Sequence, residues 1–199
     1  MRTTFLGRSA AATLLLLSLG TACSKESTPQ GTETTPTSTG AEIALAAAFE
    51  GDGFSIQPPE GWTVDDSGSQ GAAVIFTADP VDGFQSNINV RRDEVPGQTL
   101  DEVVEQSRTD LAEAFPGYEI FVDEATTVSG LPAHTFEATL TSDDVEYHNL
   151  QIFVLVGESV FTVTATGTEA QWDHDDATFR ASMATFQVDA SRSAGGGSG

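Results

Sequence analysis

The sequence contains a single cysteine, Cys23, in its 199 residues. One cysteine cannot form an intramolecular disulfide, and it cannot supply the paired thiolates of a structural zinc site. A folded domain in this chain must therefore be held together by its hydrophobic core and its hydrogen bonds.

Positive charge is also scarce, because 8 Lys and Arg residues stand against 30 Asp and Glu residues. The formal net charge is −22, and removal of residues 1–22, which hold two arginines and no acid, would leave −24. Such a chain repels phosphate backbones and anionic phospholipid surfaces. The charge balance thus excludes nucleic acid as a partner.

Long apolar runs are missing except for one short stretch near the N-terminus. Residues 10–19 are too short for a comfortable membrane span, and they follow Arg2 and Arg8, which is typical of a secretory signal over residues 1–22. The segment ends in Leu-Gly-Thr-Ala-Cys23, which resembles the processing site of bacterial lipoproteins. The resemblance implies that Cys23 carries lipid and anchors the mature protein to the outer face of the cell membrane.

The remaining chain divides by composition. Residues 23–50 begin with a stretch rich in Ser, Thr, Pro and Gly, which is typical of a flexible stalk. Within them, residues 41–49 fit either a short helix or a lead-in strand, and the sequence does not decide between the two. Residues 51–189 are long enough for one globular domain with its own core, and residues 190–199 form a flexible Gly/Ser tail.

The centre of the domain is predicted to be a hairpin around Gly157 and Glu158, which separate two apolar runs. Pairing across this turn makes one face of the hairpin almost wholly apolar. The predicted pairs are Val156 with Ser159, Val154 with Phe161, Ile152 with Val163, and Leu150 with Ala165.

The strand before the hairpin, residues 133–141, alternates in polarity. We predict an even register that aligns Phe136 with Leu150 and Ile152, because this places Phe136 on the apolar face. The same register puts His134 and His148 on one face, roughly 13 Å apart at ~3.3 Å per residue, which is too far for two ligands of one metal ion.

Two helices are predicted among the strands. Thr99 and Glu102 have the spacing of a capping box at the start of a helix that runs to about Phe115. Residues 168–185 form the second helix, with Trp172 and Phe179 along one side.

The face of the sheet opposite the apolar one carries both polar and aromatic side chains, and we call it the mixed face. It is the predicted ligand-binding surface. Arg91 on this face is better explained by pairing with a nearby acid than by binding an anionic group, because the chain is so acidic. The predicted surface comprises Asn87, Asn89, Arg91, Thr135, Thr139, Tyr147, Asn149, Gln151, Phe153, Thr162 and Thr164.

Motifs for catalysis or cofactors are weak. Residues 67–71 approach a nucleophile elbow around Ser69, but they precede a strand instead of joining a strand to a helix. His174 lies among acids at the start of the second helix, where capping of the helix amides explains them better than a metal site does. No phosphate-binding or calcium-binding motif is found, so no cofactor and no catalytic residue are predicted.

Several short segments resemble the LpqN/LpqT-type lipoproteins of mycobacteria and related actinobacteria. The resemblance implies the PsbP-like fold of the α+β class, an α/β/α sandwich whose central antiparallel sheet is flanked by two main helices, and an accessory role in the cell envelope. The segments are residues 54–62 (FSIQPPEGW), 87–90 (NINV), 129–133 (SGLPA), 151–165 and 185–186.

Together these features predict a membrane-tethered extracytoplasmic module without catalytic activity that binds a lipid, glycan or protein of the bacterial envelope. Two alternatives stay open. One is an extracytoplasmic serine hydrolase that uses Ser69 or a histidine–acid pair. The other is a purely structural protein-interaction domain, which a large exposed apolar patch without a pocket would favour.

Overall fold

The computed structural model describes residues 43–115 and 117–189. The predicted signal segment, Cys23, most of the predicted stalk and the tail at 190–199 lie outside the described residues. In the part of the chain that is described, no helix has both the length and the apolar character needed to cross a membrane.

The described residues form ten strands and two helices. In chain order they are β1 (Phe49–Glu50), β2 (Phe54–Ile56), β3 (Thr63–Asp65), β4 (Val74–Thr77), β5 (Asn87–Glu94), α1 (Leu100–Ala114), β6 (Glu119–Val128), β7 (Leu131–Ser142), β8 (Val145–Val156), β9 (Ser159–Thr168), α2 (Glu169–Met183) and β10 (Gln187–Val188).

Seven strands form the main sheet, in the order β3-β4-β5-β9-β8-β7-β6, and every neighbouring pair is antiparallel. A small sheet of β1, β2 and β10 packs with α2 on one face of the main sheet, and α1 lies on the other. The predicted α+β sandwich with a central antiparallel sheet and two flanking helices is therefore confirmed.

The described part of the lead-in segment, residues 43–49, contains no helix. Leu45 forms an isolated bridge with Pro59, and Phe49 begins β1, which pairs with β2. Phe49 also packs against the main core.

The central hairpin follows the prediction. The register of β8 and β9 pairs Val156 with Ser159 and Val154 with Phe161, and it continues to Leu150 with Ala165. Gly157 adopts a φ of +62°, which a tight two-residue turn requires and which glycine adopts without a steric penalty.

The predicted register of β7 against β8 is wrong by one residue. Phe136 lies opposite Gln151, so its side chain points to the mixed face and not to the apolar face. The reason is that α1 buries the mixed face as well, and Phe136 packs there against Val104 and Phe153. Alternation predicts the inward face of a strand only when the other face meets water.

The corrected register also separates two histidines. His134 lies opposite Phe153 on the mixed face, whereas His148 lies opposite Thr139 on the face covered by α2. The prediction that His134 and His148 share a face is therefore wrong.

The main core lies between the sheet and α2. Phe76, Phe161 and Phe179 are fully buried there, and Trp62 packs edge-on against Phe179 from the rim. Burial of large apolar side chains at this density is the main source of stability in a chain without a disulfide.

Helix α1 begins with the predicted capping box. The Glu102 N–H donates to the Thr99 hydroxyl, and the Thr99 N–H donates to the Glu102 carboxylate at 2.8 Å. These bonds lower the pKa of Glu102. The cap fixes where the helix starts, and Val104 then packs onto Phe136 and Phe153 of the sheet.

An ion pair fastens the middle of α1 to the edge of the sheet. Arg108 on α1 donates to Asp123 on β6 at 2.5 Å, and His134 on β7 contacts the other oxygen of Asp123 at 2.7 Å. Burial raises the pKa of Asp123, but the hydrogen bonds from His134 and Arg108 outweigh burial, so the net shift is downward.

We expect Asp123→Asn to lower the free energy of unfolding by about 0.5–1 kcal/mol at pH 7, since the site is partly exposed. A carboxyl whose pKa is lowered by folding stabilises the protein above its unfolded pKa, ~3.9, and loses that contribution as the pH falls further. The difference between the two proteins in urea unfolding should therefore shrink at pH 3. Glu124→Gln, one residue along β6, is the control, and an equal effect of both substitutions would contradict the assignment.

Strand β6 forms one edge of the main sheet and carries an irregularity. Ile120 pairs with Ala138 and Val122 pairs with Glu137, so Phe121 is the extra residue of a β-bulge. The side chain of Phe121 is largely exposed and contacts the ring of His148.

Candidate functional site

The predicted ligand surface is distributed over both faces of the sheet. Thr135 and Thr139 lie on the α2 face because of the register of β7. The others share the mixed face, as adjacent positions of β5, β9 and β8: Asn87, Asn89, Arg91, Tyr147, Asn149, Gln151, Phe153, Thr162 and Thr164.

Most of the mixed face is covered. Six polar residues at its centre, which we call the polar layer, are at most 2% exposed: Asn87, Asn89, Asn149, Gln151, Thr164 and Thr166. Phe153 and Tyr147, the neighbours of this layer along β8, pack into two apolar clusters with α1 and with the segment that follows it. The open groove predicted on this face is therefore not observed at these residues.

Several atoms of the polar layer are buried without a hydrogen-bond partner among the described residues. They include both side-chain heteroatoms of Asn149, Oε1 of Gln151, Oδ1 of Asn89 and Oγ1 of Thr166. Each such group costs about 1–3 kcal/mol relative to water. The polar layer is thus not an exposed recognition surface.

Arg91 behaves as predicted for a cation in an acidic chain. Its Nη2 lies 3.2 Å from Oδ1 of Asp93, and its guanidinium approaches the backbone of Gly71. The arginine is therefore paired internally.

An open pocket of about 570 Å³ lies at one end of the main sheet, and we call it the end pocket. Three elements meet there: the turn between β4 and β5, the turn between β7 and β8, and the start of α2. The end pocket is lined by Val81, Asp82, Gly83, Phe84, Asp144, Val145, Glu146, Tyr147, Thr168, Glu169, Ala170 and Gln171.

The lining of the end pocket combines apolar and acidic side chains. Phe84 and Tyr147 are buried with their rings 5.3 Å apart, and they form its inner wall. Burial raises the pKa of the Tyr147 phenol, and the carboxylate of Asp143 raises it further, so the hydroxyl stays protonated at neutral pH. Of the predicted site residues, only Tyr147 lines this pocket.

A partly buried network of charged side chains lies behind the end pocket, and sequence reasoning missed it. His148 places Nδ1 3.0 Å from Glu169 and Nε2 3.1 Å from Glu137. Glu137 also accepts two hydrogen bonds from Nη2 of Arg180, at 2.7 and 2.8 Å.

The ring of His148 is also held by aromatic contacts. It stacks on Trp172 with ring centres 3.7 Å apart and planes 3° apart, and Phe121 meets it edge-on. Glu169 belongs both to this network and to the end pocket, so the network positions one acidic wall of the pocket. The sequence feature that could have indicated this network is Glu137, an acid within an otherwise apolar and Thr-rich strand. The observed register of β7 places it beside His148.

The residues considered for a hydrolytic site, Ser69 and the histidines, are not in contact with one another. Ser69 lies in a single 3₁₀ turn, and its hydroxyl contacts that of Ser67 at 2.8 Å. The three histidines contact acids instead: His134 with Asp123, His148 with Glu137 and Glu169, and His174 with Asp175. Over residues 43–115 and 117–189, no cluster of three or more His, Cys, Asp or Glu side chains suited to a metal ion is found.

A protein-family model described as DcrB matches residues 55–185, which is more than half of the chain. The chain belongs to the DcrB family. The match spans β2 to the end of α2, so this DcrB-family domain includes the end pocket and the network around His148. A search of curated protein sequences finds no match.

Solved structures show where else this fold occurs. The cyanobacterial PsbP protein CyanoP of Synechocystis sp. PCC 6803 is 22% identical, with a TM-score of 0.55 over 77% of this chain and 98% of its own. LpqN of Mycobacterium tuberculosis, described as involved in cell envelope biogenesis, is 12% identical, with a TM-score of 0.59 over 78% and 90%. PA94 of Pseudomonas aeruginosa is 15% identical, with a TM-score of 0.52 over 71% and 95%.

These likenesses show the fold. The DcrB-family chain has the PsbP-like architecture that the short sequence segments predicted. The chain shares this architecture with LpqN, but the family to which it belongs is DcrB.

Proposed function

We propose that this protein is an extracytoplasmic lipoprotein of the bacterial envelope that acts as a non-catalytic accessory module, tethered by lipid on Cys23 and working by binding at the end pocket. The leader before Cys23 and the Ser/Thr/Pro-rich residues after it support the tether. LpqN, which is tied by its description to cell envelope biogenesis, has the same fold and supports the compartment.

The observation that carries the binding role is the end pocket itself. Its volume of about 570 Å³ is large enough to hold a small ligand or a side chain of a partner protein, and buried aromatic rings form its wall. The polar layer, in contrast, has no exposed surface to offer. The proposed site therefore moves from the mixed face to the end of the sheet.

The absence of a catalytic role is supported by the surroundings of the candidate nucleophile. A serine nucleophile needs a histidine or similar base within hydrogen-bond reach, whereas the Ser69 hydroxyl contacts the Ser67 hydroxyl and the Asp65 carboxylate. The histidines are committed to acids elsewhere in the fold.

The tether is tested by Cys23→Ser in the full chain, expressed in a bacterium with its own lipoprotein processing. We expect the unchanged protein to be labelled by an alkyne analogue of palmitate and to sediment with membranes. We expect the variant to be unlabelled, because it lacks the thiol that would carry the acyl chains.

Ser24→Ala, one residue further on, is the matched control and should be labelled and sedimented like the unchanged protein. An unchanged protein without label, or a Cys23→Ser variant that is still labelled, would overturn the tether.

A further inference from the structure

Two tight turns make the mouth of the end pocket rigid. Val81 and Phe84 exchange both backbone hydrogen bonds across Asp82 and Gly83, whose φ values are +50° and +83°. Asp143 and Asp144 between β7 and β8 likewise have φ values of +48° and +61°. Pairs of positive φ values belong to type I′ turns, which are fixed by the strands that they join. The surface is thus formed before any partner arrives.

These turns expose apolar side chains that a soluble domain would ordinarily bury. Val81 is 53% exposed and Val145 is 38% exposed, and both line the end pocket. Gln171 on α2 donates to the Val81 carbonyl at 3.3 Å and holds the first turn against the helix. The pocket therefore presents two fixed valines around an aromatic wall.

The charge around these valines has one sign. Four of the twelve lining residues are acidic (Asp82, Asp144, Glu146 and Glu169), and none is basic. Such a lining attracts cationic side chains and repels anionic lipid headgroups. Its occupant must combine apolar groups with positive charge.

The start of α2 adds a third requirement. The Thr168 side chain makes no capping hydrogen bond, and residues 168–171 line the end pocket. The first N–H groups of a helix need acceptors, which the carbonyl groups of a peptide supply and a polyamine does not. Apolar groups, cations and acceptors occur together in an extended peptide segment.

We propose that the end pocket docks an extended segment of a partner protein in which apolar side chains alternate with Lys or Arg. An apolar side chain of the segment enters between Val81 and Val145, and its neighbours pair with Asp82, Asp144 and Glu146. This inference rests on the proposed accessory role and names the class of partner for the same site.

The test measures binding of fluorescein-labelled peptides to the full chain carrying Cys23→Ser. The probes are KLKFKLK, its acidic counterpart ELEFELE and its apolar-free counterpart KSKSKSK. We expect KLKFKLK to bind more tightly than the other two and to weaken as salt is added, because charge and apolar contact act together.

Two pocket variants and two matched controls locate the site. Val145→Ser and Glu146→Gln should each weaken binding of KLKFKLK, and together by at least about tenfold. Val64→Ser on β3, also an exposed valine, and Glu124→Gln on β6 make the same chemical changes outside the pocket lining and should leave binding unchanged.

Equal weakening by the control variants would show non-specific attraction to an acidic surface and would overturn the proposal. So would equal binding of ELEFELE, or no binding of KLKFKLK at all. Sedimentation with phosphatidylglycerol vesicles that is lost in the pocket variants would assign the pocket to a membrane and not to a peptide. Each of these results leaves the Cys23 labelling experiment untouched, so failure of the docking and failure of the tether are distinguishable.

Discussion

Glu137→Ala is expected to lower the free energy of unfolding by about 2–3 kcal/mol at neutral pH. Glu137 is 7% exposed, and its carboxylate is shared between His148 and Arg180. Removing it leaves Nε2 of His148 and Nη2 of Arg180 without the acceptor that offsets their desolvation. The measurement is the urea midpoint by far-ultraviolet circular dichroism.

Asp176→Asn is the control for this substitution. Asp176 accepts from Nε of the same Arg180 at 2.7 Å, but its side chain is one-third exposed, so its loss should cost less than about 1 kcal/mol. Tryptophan fluorescence gives an independent readout, because Trp172 stacks on the ring of His148 and should report a disturbed network only in Glu137→Ala. If both substitutions lowered the free energy of unfolding equally, Glu137 would not be the main acceptor of this network.

Asn149→Leu is expected to raise the free energy of unfolding by about 1–3 kcal/mol, which is an unusual sign for a substitution in a core. Both heteroatoms of the Asn149 side chain are buried without a partner among the described residues. Leucine has the same branching and the same number of heavy atoms, so it removes the desolvation cost and keeps the shape. Thermal and urea unfolding measure the gain.

Asn89→Leu serves for comparison, because Nδ2 of Asn89 donates to the Thr164 carbonyl at 3.4 Å and that bond would be lost. The increase in the free energy of unfolding should therefore be smaller for Asn89→Leu than for Asn149→Leu. A loss of stability in Asn149→Leu together with an unchanged Asn89→Leu would mean that Asn149 is satisfied in solution. Binding of KLKFKLK should be the same in both variants, since neither residue lines the end pocket.

Local signals in the sequence predicted a large part of the fold. Gly157 and the apolar runs on both sides of it fix the central hairpin, because turn geometry and alternation agree there. Thr99 and Glu102 fix the start of α1 for a similar reason, since the capping box is satisfied within four residues. In both places the interactions that decide the structure are close in sequence.

The register of β7 and the position of the site depend on contacts that are distant in sequence. Phe136 fits either face of an alternating strand, and only α1, which packs on the mixed face, decides between them. The end pocket joins turns near residues 82 and 144 to the start of α2, and no local pattern indicates that these three segments meet. Predicted ligand-surface residues such as Asn89, Asn149 and Gln151 are instead buried in the fold.

The extra residue at Phe121 in β6 has a consequence for self-association. A ten-residue edge strand is a template onto which a strand of another molecule can add. The bulge interrupts the row of backbone groups along this edge, and Glu124 beside it places negative charge where a second acidic chain would have to approach. Addition of a second copy through this edge is thereby disfavoured.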